Sequence, residues 1–139
     1  MRRVWVLQAQ GMLAVEPQAL QGVLELSSWL KLPLAPPWLA GVLAIRGGIA
    51  PLVDLASWLG WGQVNPTRAA LLRAANQSLA LVIEEVVGLE LLPELPNQES
   101  WAEASLERQG QALPVLGLDR LLAHLERDAR TWAREGSWV

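Results

Sequence analysis

Residues Val4 to Gln10 sort into two faces, with Trp5, Leu7 and Ala9 on one and Val4, Val6, Gln8 and Gln10 on the other. A period of two is that of a β-strand. Gln10-Gly11 then reads as a turn and Met12 to Val15 as the returning strand. Glu16-Pro17 opens a short irregular or helical piece, and Val23 to Leu26 reads as another short strand. Pro33, Pro36 and Pro37 break regular structure, and Trp38-Leu39-Ala40 is predicted as one helical turn closed by Gly41. Two apolar runs, Val42 to Ile45 and Ile49 to Leu55, flank Arg46-Gly47-Gly48, which is a hairpin signal. Pro51 has no N–H to give a ladder, so its strand is expected at a sheet edge or a bulge. Asp54 is placed to cap a short helix from Leu55 that Gly60 ends.

The second half is less clear. Gly62 to Thr67 is a linker by composition. Arg68 to Ala75 is followed by a turn expected at Asn76-Gln77 and by the apolar run Leu79 to Val87, which fits a buried strand or a buried helix equally. Pro93 to Gln111 is polar and broken by proline, with a turn at Gln109-Gly110, and Ala112 to Leu118 is a further strand candidate. From Arg120 to Arg134 the period changes. Leu118, Leu121, Leu122, Leu125, Ala129 and Trp132 form one helical stripe, with Asp119 as the expected N-cap and Glu126–Arg130 as an i, i+4 pair. Propensity pulls the other way in places, since Thr67 to Ala75 counts as helix on residue preference alone. Pattern alone leaves an all-β protein and a mixed α and β protein open.

Composition narrows function more than fold. Just over half of the 139 residues are hydrophobic, enough for a core and too many for disorder. The net charge of -3 and the scattered arginines argue against a nucleic-acid surface. With no Cys, thiolate catalysis, disulfides and cysteine metal sites are excluded. His124, the single His, has no ligand-spaced neighbours; Glu84 and Glu85 are adjacent and would point to opposite faces of a strand. Ser27 and Ser28 lack a nucleophile elbow, and Gly47-Gly48 lacks the rest of a phosphate loop. The expectation is no enzyme, no cofactor and no metal. The opening apolar run ends at Gln8, and Leu32 to Ile45 is broken by prolines and shorter than the roughly 20 residues of a spanning helix. A cytoplasmic protein is expected. Eight Trp stand where Phe and Tyr are absent. They are spread from Trp5 to Trp138 without a repeat, which fits core and interface packing better than a carbohydrate or choline site.

The segment from Leu32-Pro33, through Pro36-Pro37-Trp38, Gly41 and Ile45-Arg46-Gly47-Gly48, to Pro51-Leu52-Val53-Asp54-Leu55 resembles in order and spacing the central signature of CheW-like domains. Weaker likeness extends over Trp5 to Val15, Val23-Leu24-Glu25-Leu26, Leu79 to Leu92 and Leu113 to Leu122. Ala44 stands where the family usually has Asn, and Ile83-Glu84 where it usually has Val-Asp. The resemblance implies a single domain over 1–139, mainly β, with two interleaved five-stranded SH3-like barrel lobes and a C-terminal helix at about 120–134. It also implies a non-catalytic scaffold at receptor arrays, in chemotaxis or pilus-driven motility. Its implied partners are a CheA-type histidine kinase and the cytoplasmic tip of a methyl-accepting chemoreceptor.

The partner-binding set implied by the resemblance is Arg46, Gly47, Glu25, Val23, Gly41 and Asp54. Each has an alternative reading. Arg46 at a glycine-flanked tip could instead pair with Asp54. Val23 and Glu25 could be an ordinary strand with Val in and Glu out. Gly41 serves backbone conformation, and Asp54 serves as a cap. The competing function class is an unrelated apolar-rich helical assembly subunit, which a dominant helix signal would favour.

Overall fold

Gln10 adopts φ 65° and lets β1 (Arg2–Ala9) fold straight back into β2 (Gly11–Val15), with Trp5 opposite Val15 and Ala9 opposite Gly11. The computed structural model describes residues 1–135. After a single 3-10 turn at Pro17–Ala19 come β3 (Leu20–Glu25), β4 (Leu39–Ile45), β5 (Gly48–Val53), the short helix α1 (Leu55–Leu59), β6 (Arg68–Ala74) and β7 (Gln77–Val82). The chain then runs through β8 (Glu85–Leu92), β9 (Glu94–Leu95), β10 (Ala102–Arg108) and β11 (Gln111–Leu116) into α2 (Leu118–Glu135). One sheet has the order β8-β1-β2-β11-β10-β9, the other β3-β6-β7-β5-β4. The strands of the second sheet are thus inserted between β2 and β8 of the first.

Each sheet closes by the same device. β9 continues β8 past Pro93 and pairs with β10 at the far end of the sheet, where Glu107 N–H donates to the Pro93 carbonyl at 2.9 Å. In the second sheet the chain beyond β3 returns at Leu30, which exchanges backbone hydrogen bonds of 2.9 and 2.8 Å with Val42 of β4. Closure removes the open edges that would otherwise invite pairing with another chain. Each lobe also contains one parallel contact, β2 with β11 and β5 with β7. The mainly β architecture of two small SH3-like lobes is as expected, and it sets aside the helical alternative.

The larger core is shared. Leu7, Leu13 and Val15 of the first lobe, Leu52, Leu72 and Leu81 of the second, and Leu121 and Leu125 of α2 belong to one buried cluster. A smaller cluster of Val4, Val6, Ala14, Leu106, Leu113 and Val115 fills the first barrel alone. β1 is therefore apolar on both faces: Val4 and Val6 fill their own barrel, while Leu7 and Ala9 face the shared core.

Several local expectations change. Leu39 and Ala40 open β4 rather than a helical turn, because Leu39 is registered against Val53, with a bulge before Gly41. β5 is an interior strand, contrary to the reading of Pro51. Its ladder to β7 is registered only at Leu52 and Val53, so Pro51 sits just outside the stretch where a second neighbour would need its N–H. The turn after β6 is at Ala75-Asn76, one residue early, with Ala75 at φ 54°. Arg68–Ala74 is a strand despite its helix propensity, because burial of Ala69, Ala70 and Leu72 between β3 and β7 outweighs a preference of a few tenths of a kcal/mol per residue. The run Leu79 to Val87 is two strands in two lobes, broken where Ile83 N–H reaches the Arg68 carbonyl and Glu84 N–H reaches that of Gln8. The polar stretch from Pro93 holds β9 and β10. α2 begins at Leu118, where the Gly117 carbonyl accepts from Leu121 N–H, so Asp119 lies in the first turn and is not the cap.

Candidate partner-binding site

β4 and β5 are joined by the two-residue turn Arg46-Gly47, with Ile45 opposite Gly48. Gly47 takes φ 86°, a left-handed conformation that a side chain would strain, although a Cβ there would meet nothing within 4 Å. Arg46 is exposed at the tip. The ion pairs among the described residues join Arg2 to Glu16, Glu94 and Glu103, Arg68 to Glu25, and Arg108 to Glu90. Neither Arg46 nor the expected Glu126–Arg130 pair is among them.

Asp54 does not answer Arg46. It is buried at 7 % exposure, and its carboxylate accepts from Ser57 N–H through Oδ1 and from Val64 N–H through Oδ2, each at 3.2 Å. It caps α1, whose other end is closed by Gly60 at φ 76°, and it also ties down the linker at Val64. Gly41 has a steric reason of its own. A Cβ there would lie 2.1 Å from the Leu30 carbonyl oxygen, because the strand that closes the lobe crosses directly over it. Both residues serve the backbone of this lobe rather than its surface.

Val23 and Glu25 are both exposed on the same outward face of β3, as two residues of one strand spaced by two must be, so the reading with Val inward is corrected. Glu25 accepts from Arg68 Nε at 2.8 Å, and Arg68 Nη1 donates to the Glu84 carbonyl at 3.0 Å. That clip joins β3 to the crossover between the lobes. The six residues therefore fall into three places. Arg46 and Gly47 form the tip, Val23 and Glu25 lie on the strand at the other end of the sheet order, and Gly41 and Asp54 lie beneath.

Sequence reasoning missed an exposed apolar patch on the hairpin that carries Arg46. Ile49 is 70 % exposed and Leu30 66 %, and Ala44, also exposed, stands opposite Ile49 in the ladder. With Ser28, Trp29 and Val42 they line an open cleft of about 430 Å³. The available signal was that β4 and β5 are apolar at successive positions, hence on both faces, of which one is left exposed at Ala44 and Ile49. A second exposed apolar row, Val87, Leu89 and Leu91, runs along the outer face of β8. The tip presents one cation and exposed backbone, with Ala44 and Ile49 exposed on the strands behind it. Among the described residues no three His, Asp or Glu side chains gather as a metal site, and no helix is long and apolar enough to cross a membrane.

Two small β lobes, one built on a six-stranded sheet and one on five strands, share a core and expose a hairpin with Arg46 at its tip. Residues 4–126 match the CheW-like domain family, and the chain belongs to that family. It is 27 % identical over 118 residues to a protein of Rhizobium etli described as "Probable chemotaxis protein CheW", covering 79 % of this chain and 76 % of that protein. It is 25 % identical over 126 residues to the chemotaxis protein CheW of Rhizobium meliloti, covering 79 % of this chain and 81 % of that one. Its fold matches the crystal structure of the scaffolding protein TtCheW from Thermoanaerobacter tengcongensis with a TM-score of 0.69 and 18 % identity, over 84 % of this chain and 89 % of the other.

Proposed function

We propose that this chain is a non-catalytic scaffold of chemotaxis-type signalling, joining a chemoreceptor tip to a CheA-type histidine kinase. The observation that carries this reading is the CheW-like match over residues 4–126 together with Arg46, exposed at the tip of the β4–β5 hairpin and outside the ion pairs among the described residues, on the same hairpin as exposed Ala44 and Ile49. Arginine is among the residue types enriched at binding hot spots. The Arg46–Gly47 tip is assigned to partner contact, with Val23 and Glu25 as a second contact on the same lobe. Gly41, first grouped with them, acts by admitting the Leu30 crossing, and Asp54 by holding α1 and the linker at Val64.

The reading places the protein in the cytoplasm, at receptor arrays. Titration of the purified chain with a CheA-type regulatory domain and with a soluble receptor-tip fragment tests it. Saturable binding to both is expected, and a ternary complex should form. Binding to neither would end the scaffold reading.

A further inference from the structure

Leu34 is a strained residue in the turn Pro33-Leu34. It sits between Pro33 and Ala35 in the crossing from Leu30 to β4, and its φ is 60°, a left-handed conformation that β-carbon sterics disfavour for leucine. Its side chain is 63 % exposed, so burial is not what keeps it there. Its carbonyl accepts a hydrogen bond of 2.8 Å from Trp132 Nε1, contributed by the last turns of α2, 98 residues away. Beside this bond a cleft of about 330 Å³ opens between Pro36, Pro37 and Trp38 on the loop side and Asp128, Thr131 and Glu135 on the helix side. The loop itself closes the second lobe, since Leu30 behind it pairs with Val42 and Leu39 ahead of it with Val53.

We propose that Trp132 is a positioning residue, a latch by which the C-terminal helix holds Leu34 in its left-handed conformation and fixes the Lys31–Trp38 crossing that closes the second lobe. Two observations converge on it: a non-glycine residue at positive φ, and a long-range indole hydrogen bond to the carbonyl of that same residue. α2 is anchored independently by buried Leu118, Leu121 and Leu125, so the latch can open without loss of the fold.

Lys31 is the single lysine of the chain and is exposed at the start of the crossing. A lysine-specific endoprotease therefore reports on this segment alone, because cleavage needs the backbone around Lys31 to open. In the full chain, Trp132→Phe keeps the ring and deletes the donor. Cleavage after Lys31 is expected to quicken about fivefold, the factor of one hydrogen bond of ordinary strength. The urea midpoint of global unfolding should stay within error. Leu34→Asn, a residue that accepts the left-handed region, should remove most of that sensitivity, so that adding Trp132→Phe to it changes cleavage less than twofold. Unchanged cleavage in Trp132→Phe would overturn the latch. So would an equal acceleration with and without Leu34→Asn, or a rise that merely follows a lowered urea midpoint.

Discussion

Arg46 and Gly41 lie five positions apart on one hairpin and answer to different physics. Arg46 projects from a turn, so truncation opens no cavity and breaks none of the ion pairs among the described residues. Arg46→Ala is expected to weaken kinase binding by roughly 1–3 kcal/mol while leaving the melting temperature unchanged. Calorimetric titration and thermal unfolding of one preparation check both halves. A lower melting temperature with unchanged affinity would return Arg46 to a structural role. At Gly41 the order is reversed. An added methyl would meet the Leu30 carbonyl at 2.1 Å, and that backbone cannot give way without breaking the Leu30–Val42 closure. Gly41→Ala should cost about 3 kcal/mol of stability. Partner affinity of the fraction that remains folded should change little, as denaturant titration followed by binding would report.

At the scale of elements, caps and ion clusters decide how well the pieces join. Asp54 holds the start of α1 and the linker at Val64 through one carboxylate. Asp54→Ala strands two N–H groups and should destabilise by about 2 kcal/mol, whereas Asp54→Asn keeps one acceptor and should cost clearly less. Chemical denaturation of the two variants side by side tests that order. On β10, Glu103 is crowded with Glu16 around Arg2. Burial, and then the Glu16 carboxylate, raise its pKa above the ordinary 4.5, and Arg2 only partly offsets them. A carboxyl whose pKa is raised on folding binds more protons in the native state. Stability therefore falls as pH rises from the ordinary value through the raised one. Glu103→Gln should melt higher than the parent at neutral pH, with the gap closing near pH 4. Melting curves across that range decide it, and an equal loss of stability at both ends would contradict the sign.

For the whole molecule, the shared core predicts cooperativity. Leu121 is fully buried in a cluster that includes both lobes. Leu121→Ala should cost about 2–5 kcal/mol and shift the unfolding of both lobes together. Far-UV circular dichroism and tryptophan fluorescence should give superimposable transitions in parent and variant. Two separated transitions would mean that the lobes unfold independently and that the cluster couples them weakly.

The sequence by itself determined what depends on neighbours along the chain. The β1–β2 turn, the Arg46–Gly47 tip, the Asp54 cap with its Gly60 stop and the apolar stripe of α2 were legible because each rests on a local period or a local backbone requirement. The order of residues from Leu32 to Leu55 carried the family as well. Tertiary structure alone decided the rest. Leu79 to Val87 reads as one run, yet it serves two lobes, because one strand packs into the second barrel and the next crosses back to the first. Thr67 to Ala75 favours helix residue by residue, and only the strands on either side of β6 overrule it. Gly41 read as a matter of backbone conformation, and its φ of 156° agrees; hidden from the sequence was the Leu30 carbonyl oxygen, which lies 2.1 Å from where a Cβ would be. The exposed apolar surface on the β4–β5 hairpin was hidden because its exposure depends on tertiary packing. Which face of a barrel wall is covered is settled by chain closure, and closure joins residues that no local pattern connects.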